Sequence, residues 1–294
     1  MRYLGPIYRP PSEAHSLLIQ ATVGCPHNKC AFCMVYKQGP PFAVRPVGDI
    51  LADLDQAAAE LGDGVRAVFL PAGNSLAMPA EELIRVCRRA GELFPKLERI
   101  TVYASMPAIE AHGPQDLRRL RRAGLKRLHV GLESGHGPTL ARMKKGTTPQ
   151  QQKRAGAMAL EAGLELNLYV LLGLAGPDDS PAHARATAEV INALARRGAP
   201  VLRLRTLVPK INTLLLHQIR KGRFTLCTPH QILAEARELI AGLQGSLSLF
   251  SDHYTNYLDL QGELPQDRRR LLAELDRALT LPRGAFREDF VGTQ

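Results

Sequence analysis

Tryptophan is absent from this 294-residue chain, and aromatic residues reach only 5%. No apolar run exceeds about nine residues (Leu168 to Gly176), whereas a helix crossing a bilayer needs about 20. The N-terminal stretch MRYLGPIYRPPSEAH is broken by prolines and has no apolar h-region, so no secretory signal is expected there. The 25 glycines and 21 prolines follow no period, which excludes a collagen-like chain. Composition equally excludes a coiled coil and a disordered chain, and there is no internal repeat or low-complexity tract. A cytoplasmic protein without membrane contact is expected.

What is present is a chain that is 45% hydrophobic and 22% charged, enough for one large α/β domain or two small ones with a full core and no disulfide staples. The net charge is +10, and only nine of the 38 basic residues are lysine. The arginines come as short runs, Arg118-Arg119, Arg121-Arg122 and Arg268-Arg269-Arg270, which on helices are solvated faces more often than anion-binding tracts. Five cysteines is an odd number, and three of them fall within nine residues. In a reducing compartment such a cluster points to a metal site rather than to a disulfide.

Short β-rich runs alternate with amphipathic stretches. The pattern predicts strands over Ser16–Thr22, Val65–Leu70, Arg99–Tyr103, Arg127–Leu132, Glu165–Leu172 and Val201–Leu207, and helices over Asp49–Leu61, Ala80–Phe94, Pro114–Ala123, Pro149–Ala162 and Pro181–Arg196. Helices begin at Asp49, Pro114, Pro149 and Pro181 and stop at Gly62, Gly124, Gly163 and Gly198. This alternation predicts right-handed βαβ units and a parallel sheet covered on both faces. Residues of unusual chemistry fall one after another at strand C-terminal ends, which favours an α/β fold of the partial (β/α)6 TIM-type barrel class. The core is expected over residues 1–245. A short C-terminal helical extension, 246–294, follows: a helix at Pro229–Leu243 leads into a strand-like piece at 246–251 and a last helix at Gln266–Leu279, all packed on the barrel.

Directly after the first strand comes TVGCPHNKCAFCMVYK, with Cys25, Cys30 and Cys33 in a C-x4-C-x2-C pattern. Three thiolates on one loop can hold three irons of a [4Fe–4S] cubane and leave the fourth iron without a protein ligand. Structural zinc would need a fourth ligand, for which His27 is available as Cys3His. Cys87, mid-helix in LIRVCRRAGEL, and Cys227, in FTLCTPH, read as buried small hydrophobes rather than ligands.

An open iron at the C-terminal face of such a barrel resembles the radical S-adenosylmethionine (SAM) superfamily, and Phe32 before the third cysteine matches the aromatic usual there. The first spacing is one residue longer than the usual C-x3-C-x2-C. The resemblance covers about residues 14–245. It implies a [4Fe–4S] cluster and SAM as cofactors. Reductive cleavage of SAM would then give a 5′-deoxyadenosyl radical that takes hydrogen from a substrate.

The resemblance implies site residues too. In VFLPAGNSLAMP, Gly73 with Ala72 and Asn74 stands where the superfamily's glycine-rich turn receives the methionyl ammonium, although a Gly-Gly-Glu is absent. The strand end HVGLESG, with Glu133 and Ser134, is similar to the Gly-Val-Gln-Ser strand end of oxygen-independent coproporphyrinogen oxidase and the Elongator catalytic subunit. Lys145 stands twelve residues on, where that oxidase carries the arginine that grips the SAM carboxylate. A lysine brings the charge without the bidentate fork, and a solvated Lys144-Lys145 pair is the alternative. Glu133 could accept from the SAM ammonium or the ribose. Gly173 and Gly176 in LNLYVLLGLAGPDDS would let backbone approach adenine, with Leu207 and Val208 as its wall, and Tyr169 stands where the oxidase has an acid.

Arg203 and Arg205 alternate onto one strand face, either toward an acidic substrate or into ion pairs at the rim. In the tail, Ser251, Asp252, His253, Asn256 and Tyr257 concentrate hydrogen-bonding groups. His253 and Tyr257 would lie near the substrate mouth if the strand-like piece extends the barrel edge. His253, Tyr257 and Arg205 are thus the candidates for work on the substrate.

The function implied is a radical SAM enzyme of oxidoreductase or transferase type, acting on a small molecule or RNA. The basic balance favours an anionic substrate, and an electron donor such as flavodoxin or ferredoxin is expected as a partner. No second cysteine cluster, no cobalamin-type segment ahead of the core and a tail of only 49 residues disfavour auxiliary-cluster, B12-methyltransferase and methylthiotransferase sub-classes. The alternative from another class is a non-catalytic iron–sulfur or zinc protein that binds RNA.

Overall fold

The computed structural model describes residues 2–5 and 7–293. Met1, Pro6 and Gln294, which bound or interrupt the segments read above, lie outside the described residues. The chain begins with β1 (Leu17–Leu18), β2 (Thr22–Val23), β3 (Ala43–Val44), α1 (Val47–Leu61), β4 (Ala67–Leu70) and α2 (Ala80–Leu93). It continues through β5 (Arg99–Ala104), α3 (Met106–Arg122), β6 (Leu125–Glu133), α4 (Gly137–Arg142), α5 (Pro149–Glu161), β7 (Glu165–Leu172) and α6 (Ser180–Ala195). The last elements are β8 (Val201–Thr206), α7 (Leu214–Arg220), α8 (Pro229–Gly242), β9 (Leu247–Phe250), β10 (Gln261–Leu264) and α9 (Arg268–Leu279).

The main sheet has eight strands in the order β1-β4-β5-β6-β7-β8-β9-β10. β1–β4, β4–β5, β5–β6, β7–β8 and β8–β9 pair parallel, and β9–β10 pairs antiparallel. This is the expected α/β class, six strand–helix units built around a parallel sheet. The C-terminal extension is not purely helical: β9 pairs with β8, and β10 folds back on β9 as the edge. None of the described helices is long and apolar enough to cross a membrane.

Two compact units divide the chain. One comprises the described residues up to Asn28, Val35–Val130 and Met158–Leu166; the other comprises Lys29–Met34, Gly131–Ala157 and the chain from Asn167 on. In the first unit β4, a run of Ala, Val, Phe and Leu, is buried along its whole length, so both of its faces are covered. α1 turns Ile50, Leu54 and Ala57 inward and α2 turns Leu83, Ile84, Val86 and Ala90 inward. Each leucine-sized side chain buried in this way contributes about 1.5–3 kcal/mol. In the second unit β8 alternates, with Leu202, Leu204 and Thr206 buried and Arg203 and Arg205 half-buried on the opposite face.

Several boundaries differ from the sequence pattern. The first expected strand, Ser16–Thr22, is two pieces: β1 belongs to the main sheet, whereas β2 leaves it to pair with β3. α1 begins at Val47 after Pro46 rather than at Asp49, since proline fixes the extended entry. The helix read from Pro114 is preceded by another from Met106, capped by the Ser105 hydroxyl, which accepts the Ala108 N–H. The two meet at a kink where Gly113 adopts φ 65°. Four-residue β10 went unread because Gln261-Gly262-Glu263 has no apolar alternation. α9 starts at Arg268 rather than Gln266, and α6 ends at Ala195, ahead of Gly198.

One polar cluster lies inside the first unit. Glu13 is fully buried and accepts from Ser16 Oγ at 2.6 Å and from His129 Nε2 at 3.1 Å, with Arg99 and Arg127 guanidinium groups each 3.5 Å away. Burial alone would raise its pKa. The hydrogen bonds from His129 and Ser16 and the charges of His129 and Arg99 outweigh it and hold the carboxyl at about 2. Because the folded value lies below the unfolded one, this contribution is complete above pH 4.5 and lost as pH falls toward 2. Glu13→Gln is expected to lower unfolding free energy by about 3 kcal/mol at pH 7. In urea titrations its deficit against the wild type should shrink steadily below pH 4.5, and a pH-independent deficit would contradict this account.

Candidate active site

Cys25 follows β2, and its loop is fastened from both sides. In the first unit, the Gly73 N–H donates to Gly24 O at 3.0 Å. A Cβ on Gly73 would lie 2.6 Å from the Cys25 Cβ and 2.7 Å from Gly24 O, so only glycine lets the chain leaving β4 come this close. Ser75 locks the same turn: its hydroxyl donates to Leu70 O and Pro71 O at 3.0 and 2.7 Å and lies 3.2 Å from Thr22 Oγ1 on β2. Within the C-x4-C spacing the chain turns at Asn28, whose φ is 39° and whose Nδ2 donates to Tyr36 O at 2.9 Å. Asparagine tolerates that left-handed region better than most side chains.

In the second unit, Ala31 N–H donates to Met143 O and Leu215 N–H donates to Ala31 O, both at 2.9 Å. Ala31, Met143, Leu174, Leu207, Leu215 and Phe224 form a buried apolar cluster against which Phe32 and Leu171 pack. The aromatic before the third cysteine is therefore an anchor for the loop. Cys25, Cys30 and Cys33 are half-buried, and none of the five cysteines is in a disulfide.

Lys145 and Glu133, drawn together only by analogy in the sequence, are partners: Nζ lies 3.3 Å from Glu133 Oε1, each side chain 17% exposed. Burial pulls the Lys145 pKa down, but the charges of Glu133 and Cys30, the Glu133 hydrogen bond and the Cys33 charge raise it overall. An ammonium thus stands beside the cysteine loop and remains protonated at neutral pH. Glu133 is held at φ 64°, and its carboxylate lies over Gly131, where a Cβ would fall 2.2 Å from Oε1. A non-glycine residue at such a φ is uncommon and marks a constrained side chain. Ser134 is fully buried, with its hydroxyl accepting the His136 N–H at 2.9 Å.

The ends of β7 and β8 make a pocket that includes Gly173, Thr206, Leu207, Val208, Tyr257 and Arg287. Gly173 is fixed by a carboxylate the sequence reading missed: its N–H donates to Glu235 Oε1 at 2.9 Å, and His183 Nδ1 lies 2.9 Å from the same oxygen. The Ser180 hydroxyl bonds the other oxygen. The signal was legible, since Glu235 sits on the face of α8 that otherwise buries Ile232, Leu233, Ala236 and Leu239. Tyr257 OH bonds Asp289 Oδ1 at 3.2 Å, and burial raises its pKa. His253 lies against Thr255 Oγ1 at 2.7 Å. Burial, then the charges of Arg205 and Lys210, push its pKa down to about 4 against the pull of Asp252, so the ring is neutral.

A family model for the radical SAM superfamily matches residues 19–191, more than half of the chain. The chain belongs to the radical SAM superfamily. Members of the superfamily use a [4Fe–4S] cluster and SAM. The structure is similar to that of TsrM, a radical S-adenosylmethionine methyltransferase from Kitasatospora setae with cobalamin and a [4Fe–4S] cluster bound. The TM-score is 0.57 at 21% identity, over 70% of this chain and 39% of that one. It is also similar to coproporphyrinogen III oxidase (HemN) from Escherichia coli, with TM-score 0.55 at 20% identity over 77% of this chain and 51% of that one. For methylornithine synthase the TM-score is 0.51 at 15% identity, over 91% and 82% of the two chains. At these identities the likeness is one of fold. The chain spans about two fifths of the length of TsrM and half that of HemN. No curated protein matches the sequence.

The radical SAM cofactors suit the residues present. Three thiols are available on a loop whose backbone is tied down without using them. Beside Gly73, Asn74 is 3% exposed; its Nδ2 donates to Ser105 Oγ at 2.9 Å, while its Oδ1 has no partner among the described residues. Such an acceptor has capacity to take a donor from a bound water or a ligand. Among the described residues no three His, Cys, Asp or Glu side chains gather as they would around a single metal ion, His27 included. The two other cysteines are sealed off: burial pushes Cys87 and Cys227 up to about 12, so neither offers a thiolate. The arginine runs are engaged largely as solvated faces, with Arg119 bonded to Glu81 and Asp116 and Arg270 to Glu274.

Gly73→Ala is expected to reduce iron and sulfide incorporation at least several-fold while leaving far-UV circular dichroism unchanged, because the added methyl meets Cys25 and no core residue. Normal iron content in this variant would contradict the close approach.

Proposed function

We propose that this chain is a radical SAM enzyme in which Cys25, Cys30 and Cys33 hold a [4Fe–4S] cluster and SAM occupies the iron they leave open. When bound, these cofactors supply one-electron cleavage of SAM and a 5′-deoxyadenosyl radical that takes hydrogen from a substrate. The observation that carries this reading is the Lys145 ammonium, held charged at the side of the cysteine loop by Glu133 and by the cysteines themselves.

The chain's own residues then divide the work. Lys145 binds the carboxylate of SAM as a point charge, and Glu133 accepts from its ammonium or its ribose. In the first unit, Asn74 Oδ1 and the Gly73 backbone offer acceptors for an ammonium. Ser134 shapes the strand end from within, through the bond to His136. Gly173, kept in place by Glu235, lets backbone approach the adenine, and Val208 with Leu207 walls it. His253 and Tyr257 stand toward the substrate, the first as a neutral ring and the second as a protonated phenol. The C-terminal extension, 246–294, supplies both. An electron donor such as flavodoxin or ferredoxin completes the system, and the substrate is a small molecule or RNA of anionic character.

Anaerobic reconstitution, reduction with dithionite and addition of SAM should yield 5′-deoxyadenosine from the wild type and none from Cys30→Ala, which should also lose cluster absorbance. Intact SAM with a bound cluster would favour a non-catalytic iron–sulfur protein that binds RNA. Lys145→Met should raise the KM for SAM about 10- to 100-fold at unchanged iron content, the cost of losing one hydrogen bond to a charged group. An unchanged KM would remove Lys145 from the site.

A further inference from the structure

Arg205 and Leu171 are register partners on neighbouring parallel strands, so their side chains leave the sheet on one face. Leu171 packs against the apolar cluster that holds Ala31 and Phe32, so this is the face that the loop bearing Cys30 and Cys33 covers. Arg205 is half-buried there, its guanidinium 4.9 Å above the ring of Tyr169 on β7. Among the described residues it has no carboxylate partner and no hydrogen bond. Its neighbour on the same strand face, Arg203, differs: it bonds both oxygens of Asp252 at 3.1 and 3.3 Å and lies over Phe250. Ion pairing at the rim therefore accounts for Arg203 and leaves Arg205 unexplained.

Two further groups face Arg205. Lys210, four residues beyond the end of β8, has its pKa lowered by burial and by the Arg205 charge. His253 is kept neutral by burial and by both cations. Arg203, Arg205 and Lys210 thus bring three cations to this region, and the Asp252 carboxylate there is taken by Arg203. A half-buried guanidinium with five donors, held over an aromatic ring at 4.9 Å near a second cation, is suited to receive an oxyanion. Resting on the radical SAM reading above, we propose that Arg205 and Lys210, with the His253 ring beside them, bind a carboxylate or phosphate group of the substrate. This makes Arg205 a specificity residue: it chooses which molecule lies on the cysteine-loop face of the sheet. Tyr169 is a positioning residue that holds the guanidinium plane.

The test is calorimetric titration of the full chain, without cluster, with inorganic phosphate and separately with acetate. Saturable binding of either probe is expected, and the stronger of the two names the substrate group as phosphate or carboxylate. Arg205→Gln should weaken binding at least tenfold, whereas Arg118→Gln, which removes the same charge from an exposed site on α3, should not. Lys210→Met is the second variant, so that misfolding of one leaves the other. Absence of saturable binding to both probes, or equal weakening by Arg118→Gln and Arg205→Gln, would overturn the proposal. So would displacement of the probe by SAM from the cluster-loaded chain, which would give the site to the cosubstrate. Because binding is read without the cluster, a failure to cleave SAM would count against the enzyme reading and leave this site standing.

Discussion

A loop proposed to offer three thiolates to iron cannot use those cysteines to hold itself in place, so its backbone has to be tied down by everything else. Here the ties are few and short. Gly73 reaches Gly24 from the end of β4, and Ala31 is bonded through its N–H to Met143 and through its carbonyl to Leu215. Phe32 is sunk in the cluster of Met143, Leu174 and Leu207. Pre-organisation of this kind places the ordering cost of the loop in folding rather than in cofactor assembly, leaving the sulfurs the weakest-held part of the segment.

Buried carboxylates organise the rest, each with different partners and a different consequence. Glu13 is satisfied by Ser16, His129 and two arginines and acts as a structural tie within the first unit. Glu235 spends one oxygen on the Gly173 N–H and His183 and the other on Ser180, which fixes a turn that lines a pocket. Glu133 pairs with a single lysine and retains capacity to accept from a ligand. Carboxylates saturated by the protein serve the fold, and the one left under-used stands beside the cysteines. The same contrast separates Arg203, paired with Asp252, from Arg205, which among the described residues has no carboxylate and lies over the Tyr169 ring.

Much of this was legible in the sequence, because apolar periodicity and Gly/Pro punctuation act locally. The strand Glu165–Leu172 has the boundaries its pattern predicts, and β4 to β8 follow the expected parallel order. The twelve-residue interval from Glu133 to Lys145 likewise foretold two side chains that stand together. What was not legible depends on partners far along the chain. β2 leaves the main sheet because Ala43–Val44 is there to pair with it. β10 is a strand only because β9 precedes it. Glu235 acquires its role from Gly173, 62 residues away, and Arg205 from a ring on the adjacent strand.

The most direct test of an iron left open to SAM is electron paramagnetic resonance of the anaerobically reconstituted, dithionite-reduced chain, recorded with and without SAM beside an iron and sulfide assay. About four irons and four sulfides per chain and a signal that shifts when SAM is added are predicted. A cluster whose signal ignores saturating SAM, or a chain that retains zinc and no iron, would contradict the account.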